Sequence, residues 1–278
     1  MSVYVETATA AKECGACPST SCNTAHLTRL GIKMDDWDYV VALAGNPNTG
    51  KSTLFNAWTG LRQHVGNWNG KTVTRAEGAL RYNDRKFKLV DLPGTYSLLS
   101  MSVHEEVARD FVLFGRPDVT VVVVDANRLE RGLHLVLQTL EITDRVVVCL
   151  NLIDEARRNN LKIDERALAR DLGVPVVPTA VRHGEGLPEL LRVVDEMAQG
   201  RYPTHPHRLN YRDAALEAAV AQLAGQLEGI FPDLPNARWV ALRLLENDES
   251  IIRAVREGTL GDLQRPDAFP ELMQLEAR

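Results

Sequence analysis

The chain has 278 residues, 45% of them hydrophobic and 25% charged, and its 32 Lys and Arg against 37 Asp and Glu give a formal net charge of -5. That composition excludes a disordered or fibrous chain, and the acidic balance argues against a general electrostatic grip on nucleic acid or anionic lipid. The length exceeds that of a usual single domain and predicts a larger unit with a smaller appendage.

Residues 1–37 read as an N-terminal extension. The opening MSVYVETATAAKEC lacks the basic start and apolar core of a secretory signal, which predicts a cytosolic compartment. Within the extension, Cys14, Cys17 and Cys22 are followed by His26 in a C-x2-C-x4-C-x3-H pattern. These soft donors fit a tetrahedral Zn²⁺ or Fe²⁺ site, a redox pair, or thiols of a tail with no shared role. The remaining cysteine, Cys149, falls in a strand pattern and reads as a core residue.

From residue 38 to 200, short β-branched runs alternate with helical periodicity, the pattern of a mostly parallel sheet covered on both faces. Strands are predicted over 39–44, 78–82, 87–91, 119–125, 145–150 and 174–178, and helices over 52–59, 105–113, 132–142, 165–171 and 187–197. The expectation is a six-stranded α/β sheet of Ras-like P-loop type, its second and third strands joined in a hairpin by the turn-forming Asn83-Asp84. The apolar runs over 119–124 and 146–150 are far shorter than the ~18 residues that cross a bilayer, so no span is expected. A Pro- and His-rich stretch over 199–207 marks a boundary, and residues 201–278 read as a small all-helical domain with helices over 214–227, 237–246 and 249–257. His205 and His207 are expected to be solvated there.

The first strand runs into Gly45-Asn46-Pro47-Asn48-Thr49-Gly50-Lys51-Ser52, a G-x4-G-K-S loop between strand and helix. Its glycines permit the tight path that aims amides at phosphates. Lys51 reaches phosphate oxygens, the Ser52 hydroxyl ligates Mg²⁺, and Thr53 continues the helix. Asp91-Leu92-Pro93-Gly94 closes another strand, where Asp91 can hold Mg²⁺ through water and the Gly94 amide can sense a γ-phosphate. Asn151-Leu152-Ile153-Asp154 ends a third strand. Asp154 can accept from the N1–H and exocyclic amine of guanine, whereas adenine leaves the carboxylate unpaired, so GTP is favoured over ATP. Asn151 is expected to tie this loop to the P-loop. In Thr179-Ala180-Val181, the Ala180 amide is expected to face the guanine carbonyl.

Residues 45–56 (GNPNTGKSTLFN), 65–73 (VGNWNGKTV), 91–97 (DLPGTYS) and 151–154 resemble the motif set of FeoB GTPase domains, over about residues 38–197. The resemblance implies a GTP-hydrolysing switch of ferrous-iron transport, acting on a membrane permease in the same or a separate chain at the cytoplasmic face of the bacterial inner membrane. It places Asn69, Gly70 and Lys71 among the nucleotide-binding residues around the first switch and Thr72 on Mg²⁺. It further implies a K⁺ ion held by Asn48 and the carbonyls of Gly66 and Trp68, offsetting charge between the β- and γ-phosphates as an arginine finger does. Lys51, Thr72 and Gly94 are then the catalytic set. Thr95 stands where Ras-like proteins carry a water-orienting glutamine, so slow intrinsic turnover is expected. Trp68 gates the switch, covers the nucleotide, or faces a partner. His104, Glu105 and Glu106 either cap a helix or handle a proton or metal. A homo-oligomer is compatible with the sequence. The alternatives are a metal- or redox-sensing GTPase and a ribosome- or RNA-associated one, and the acidic balance argues against the second.

Overall fold

A computed structural model describes residues 37–60, 63–68, 72–99, 102–208, 213–232 and 234–257. The predicted metal donors Cys14, Cys17, Cys22 and His26, and switch residues Asn69, Gly70 and Lys71, lie outside these. One sheet of seven strands runs in the order β2-β3-β4-β1-β5-β6-β7. The strands are β1 (Tyr39–Gly45), β2 (Gln63–Asn67), β3 (Thr74–Tyr82), β4 (Arg85–Asp91), β5 (Val119–Asp125), β6 (Val146–Asn151) and β7 (Val176–Pro178). Strands β4, β1, β5, β6 and β7 are parallel, and β2 and β3 add an antiparallel edge.

The seventh strand corrects the expectation of six. No strand was expected over Gln63–Asn67, of which only 65–67 entered a family motif, yet it pairs residue by residue with 74–78 of β3. Its sequence, QHVGN, has one aliphatic residue and no apolar alternation, because an edge strand is held by backbone bonds more than by a buried face. The β3–β4 hairpin turns where expected. Asn83 and Asp84 take φ of 47° and 60°, the left-handed pair required by a type I′ turn.

Strands with apolar residues on both faces form two cores. Val40, Ala42, Val90, Val122 and Val148 face α2 (Val103–Asp110) and α3 (Leu129–Ile142). Val41, Leu43, Leu89, Val121 and Val147 face α1 (Lys51–Thr59) and α6 (Leu187–Ala198). Cys149 is fully buried in this second layer, as read, and burial pushes its thiol up to about 12 despite a 3.2 Å contact with the Thr179 hydroxyl. A thiol so placed is chemically inert. Two short helices, α4 (Ile153–Arg158) and α5 (Glu165–Leu172), complete this domain. Helix α2 ends in a fully buried π-turn, Phe111–Gly115.

Beyond the linker come α7 (Ala214–Ile230), α8 (Ala237–Leu245) and α9 (Glu249–Arg256), capped by Asp213, Asn236 and Asp248, whose side chains accept the first-turn amides. Their apolar faces, with Val220, Leu227, Val240 and Ile251, extend the α2–α3 core. Polar contacts pin the join. Arg109 of α2 donates to Ser250 Oγ at 2.8 Å, and Asn236 Nδ2 donates to the carbonyls of Glu141 and Ile142 at 2.9 and 3.0 Å. His205 and His207 are exposed, as expected, but their stretch is not loose: their amides donate to the Gly173 and Leu172 carbonyls at the end of α5. Among the described residues no helix is long and apolar enough to cross a membrane.

Candidate nucleotide site

Strands β1, β4, β5 and β6 all deliver their carboxyl ends to one rim, where open α/β sheets take ligands. A cavity of about 940 Å³ opens there, walled by the P-loop from Asn46 to Thr53 and by Gly94, Tyr96, Asp125, Asn151 and Leu152. The P-loop path depends on its glycines. At Gly45 a Cβ would stand 2.7 Å from the Val123 carbonyl, and at Gly50, with φ of 91°, it would overlap Asn151 Nδ2. Gly50 caps α1 without a side chain, so the first-turn amides of Lys51, Ser52 and Thr53 carry the helix's positive end to the cavity wall. The Thr49 hydroxyl donates to the Asn46 carbonyl at 2.9 Å and stiffens the loop.

Lys51 Nζ donates to Asp91 Oδ1, uniting the residue predicted for phosphate with the one predicted for Mg²⁺. Burial raises the Asp91 carboxyl above its ordinary range, and Lys51 pulls it back only in part. The loop after Asp91 lies against the P-loop. Leu92 and Thr95 amides donate to the Leu43 and Gly45 carbonyls, and a Cβ on Gly94 would lie 3.4 Å from Pro47 Cγ.

Asn151 is 1% exposed and joins three segments. Its Nδ2 donates to the Thr49 carbonyl at 2.8 Å, and its Oδ1 accepts from the Val181 amide at 3.1 Å and the Thr179 hydroxyl at 3.3 Å. The tie to the P-loop read from sequence is therefore present as geometry. Asp154, in the first turn of α4, meets Arg158 at 3.0 Å and His183 Nε2 at 3.6 Å, while Leu152, Glu155 and Arg182 form the cavity wall at that end. The Ala180 amide, expected to face a base carbonyl, donates instead to the Glu185 carbonyl at 3.1 Å.

The first switch stands apart. Gly66 pairs with Arg75 in the β2–β3 ladder, Thr72 is exposed, and neither they nor Trp68 wall the cavity. Trp68 neither covers the cavity nor presents its ring to a partner. It is 5% exposed, edge-on to Phe111 with centroids 5.3 Å apart and with the Arg75 guanidinium 5.5 Å over its ring. Apolar burial of an indole outweighs the polarity of a loop. Helix α2 begins at Val103 with Ser102 as its cap, accepting from the Glu105 amide; Glu105 and Glu106 stand in its first turn, where the helix dipole favours acids, and His104 walls the cavity.

Several wall residues escaped reading as site residues, notably Asp125 at the end of β5 and Arg128 and Arg131 after it. Their signal was available, since β5 ends at the same sheet rim as the P-loop strand.

Residues 39–194 match the family described as Ferrous iron transport protein B, and residues 213–274 match the FeoB cytosolic helical domain. The chain belongs to the FeoB family. It is 42% identical over 226 residues to the Fe(2+) transport protein A/Fe(2+) transporter FeoB fusion protein of Porphyromonas gingivalis, covering 80% of this chain and 26% of that one. The chain thus spans about a quarter of that FeoB relative's length. It resembles the apo cytosolic domain of the T. maritima FeoB iron transporter with a TM-score of 0.71 at 38% identity, covering 86% and 93% of the two chains. The GMPPNP form of that domain gives 0.68 at 36% identity, with the same coverage.

Proposed function

We propose that this FeoB-family domain binds GTP with Mg²⁺, hydrolyses it slowly, and passes its nucleotide state to a ferrous-iron permease. The observation that carries the reading is the convergence of Lys51, Gly94 and Asn151 on one cavity beside uncapped helix amides, with Asp91 held behind the wall by Lys51. Phosphates take Lys51 and Mg²⁺ takes Asp91 with the Ser52 hydroxyl, so each partner of the present ion pair receives another opposite charge. Thr72 would complete the Mg²⁺ shell once the first switch closes. The Asp154–Arg158 pair is an i,i+4 contact with a 70% exposed arginine, worth only about 0.3–0.5 kcal/mol. Two guanine donors compete well against it, which keeps Asp154 as the base-selecting group. Thr179, Ala180 and Val181 support the base loop, and the Ala180 amide must leave Glu185 to reach a guanine oxygen.

In the same reading, Asn48 with the carbonyls of Gly66 and Trp68 holds K⁺. Because Gly66 sits in the β2 ladder, that site forms only when the end of β2 peels from β3. GTP turnover is expected to rise roughly tenfold or more when NaCl is replaced by KCl at equal ionic strength, measured by phosphate release. Equal rates in the two salts would remove K⁺ from the mechanism.

The contacts of α2 and α3 with α8 and α9 suit transmission from the nucleotide rim to the helical domain and then to the permease. Cys14, Cys17, Cys22 and His26 are proposed as a separate Zn²⁺ or Fe²⁺ site. Purified chain is expected to carry close to one equivalent of metal by elemental analysis, and Cys17→Ser to lose most of it. Equal metal content in both proteins would leave these thiols without that role.

A further inference from the structure

Three observations converge on the start of α3. Gly132 is buried tightly against Val124, so that a Cβ there would overlap the valine side chain, and this sets the helix down on the carboxyl end of β5. Asn46 of the P-loop donates from Nδ2 to the Arg131 carbonyl at 3.3 Å, fixing that turn to the phosphate loop. The Arg131 guanidinium then lies 4.1 Å from the ring centroid of Tyr96, two residues beyond Gly94, and both side chains wall the nucleotide cavity.

Helix α3 holds the same loop again further along. Gln138, seven residues from Arg131 and therefore on the same helix face, accepts the Leu98 amide through Oε1 at 2.8 Å. The loop from Gly94 to Leu98 thus meets α3 at Tyr96 and again at Leu98. Tyr96 is 45% exposed and belongs to neither apolar core, and the guanidinium lies over its ring.

We propose that Arg131 is a positioning residue for hydrolysis: by stacking on Tyr96 it holds the Asp-x-x-Gly loop where the Gly94 amide meets the γ-phosphate. The proposal rests on the GTPase reading above. GDP has no γ-phosphate, so the placing of the Gly94 amide by the stack bears on the hydrolytic step far more than on GDP affinity. Charge alone does not serve, because a lysine ammonium lacks the planar face that lies over the ring.

The test uses the full chain with Mg²⁺ and KCl, comparing single-turnover GTP hydrolysis and GDP affinity for Arg131→Ala, Arg131→Lys, Tyr96→Ala, Tyr96→Phe and the Arg131→Ala/Tyr96→Ala double variant. Each alanine variant is expected to hydrolyse GTP roughly two- to fivefold more slowly, the size of a solvent-accessible cation–π contact, with GDP affinity within about twofold of the parent. The double variant should be no slower than the slower single, since both remove one interaction. Tyr96→Phe, which keeps the ring face, should recover most of the rate lost in Tyr96→Ala, whereas Arg131→Lys should not recover that of Arg131→Ala. Multiplicative losses in the double variant, an unchanged Arg131→Ala rate, or a GDP affinity that falls with the rate would each overturn the proposal. Failure of the parent chain to bind GTP at all would strike the GTPase reading instead, and the GDP titration separates the two.

Discussion

Lys51→Ala is expected to lower affinity for both GDP and GTP by roughly 10- to 150-fold, the range for losing a hydrogen bond between charged groups. Lys51 is 8% exposed on the first turn of α1, and its ammonium pairs with the partly buried Asp91 carboxylate. The substitution therefore has a second effect that ligand binding does not report. Burial already raises the Asp91 carboxyl, and without the opposing pull of Lys51 it rises further. A carboxyl whose pKa is higher folded than unfolded binds more protons in the native state, so the stability it lends is lost as pH rises through the folded value. The melting-temperature deficit of Lys51→Ala should accordingly be larger at pH 8 than at pH 5. Titration with fluorescent GDP and thermal melts at the two pH values measure both effects. Parent-like affinity would place the phosphates elsewhere.

Asn151→Ala should be the most damaging single change at the base end. The side chain satisfies the Thr49 carbonyl and the Val181 amide, and alanine leaves both without this partner, at a cost of about 2–4 kcal/mol. For a chain of this size that corresponds to a melting point roughly 4–16 °C lower. Guanine-nucleotide affinity falls with it, because the P-loop and the base loop lose their common anchor. Gly50→Ala should reproduce the phenotype from the other side, since a residue at φ of 91° is strained and its Cβ would displace Asn151 Nδ2. The two substitutions attack one contact, so the double variant should be little worse than the worse single. Additive losses would mean that Asn151 and Gly50 act independently.

What could be read from the sequence follows the physics of each element. Strand β5 was found to the residue because VTVVVVD is apolar on both faces and can only be a buried strand. The P-loop and Asp91-Leu92-Pro93-Gly94 were readable because phosphate chemistry constrains backbone path as well as side chains. Asn151 could be assigned its bridging role because a carboxamide donates and accepts at once. Strand β2 was not readable, since its pairing resides in backbone groups that every sequence has. Nor was the burial of Trp68, which depends on Phe111, some forty residues later, turning in at the π-turn of α2. The partners of Asp154 and the Ala180 amide belong to the same class. Arg158, His183 and Glu185 are brought there by α4 and the turn before α6, and no local pattern announces which of them will meet which.

Base choice is the claim on which the rest depends, and competition of GDP and ADP for chain loaded with labelled GDP in Mg²⁺ measures it most directly. GDP should displace the label at a concentration about 100-fold or more below that of ADP, because adenine leaves the Asp154 carboxylate without its donors. In Asp154→Ala that gap should close. Displacement by ADP and GDP at equal concentrations in the parent chain would contradict a guanine-nucleotide switch.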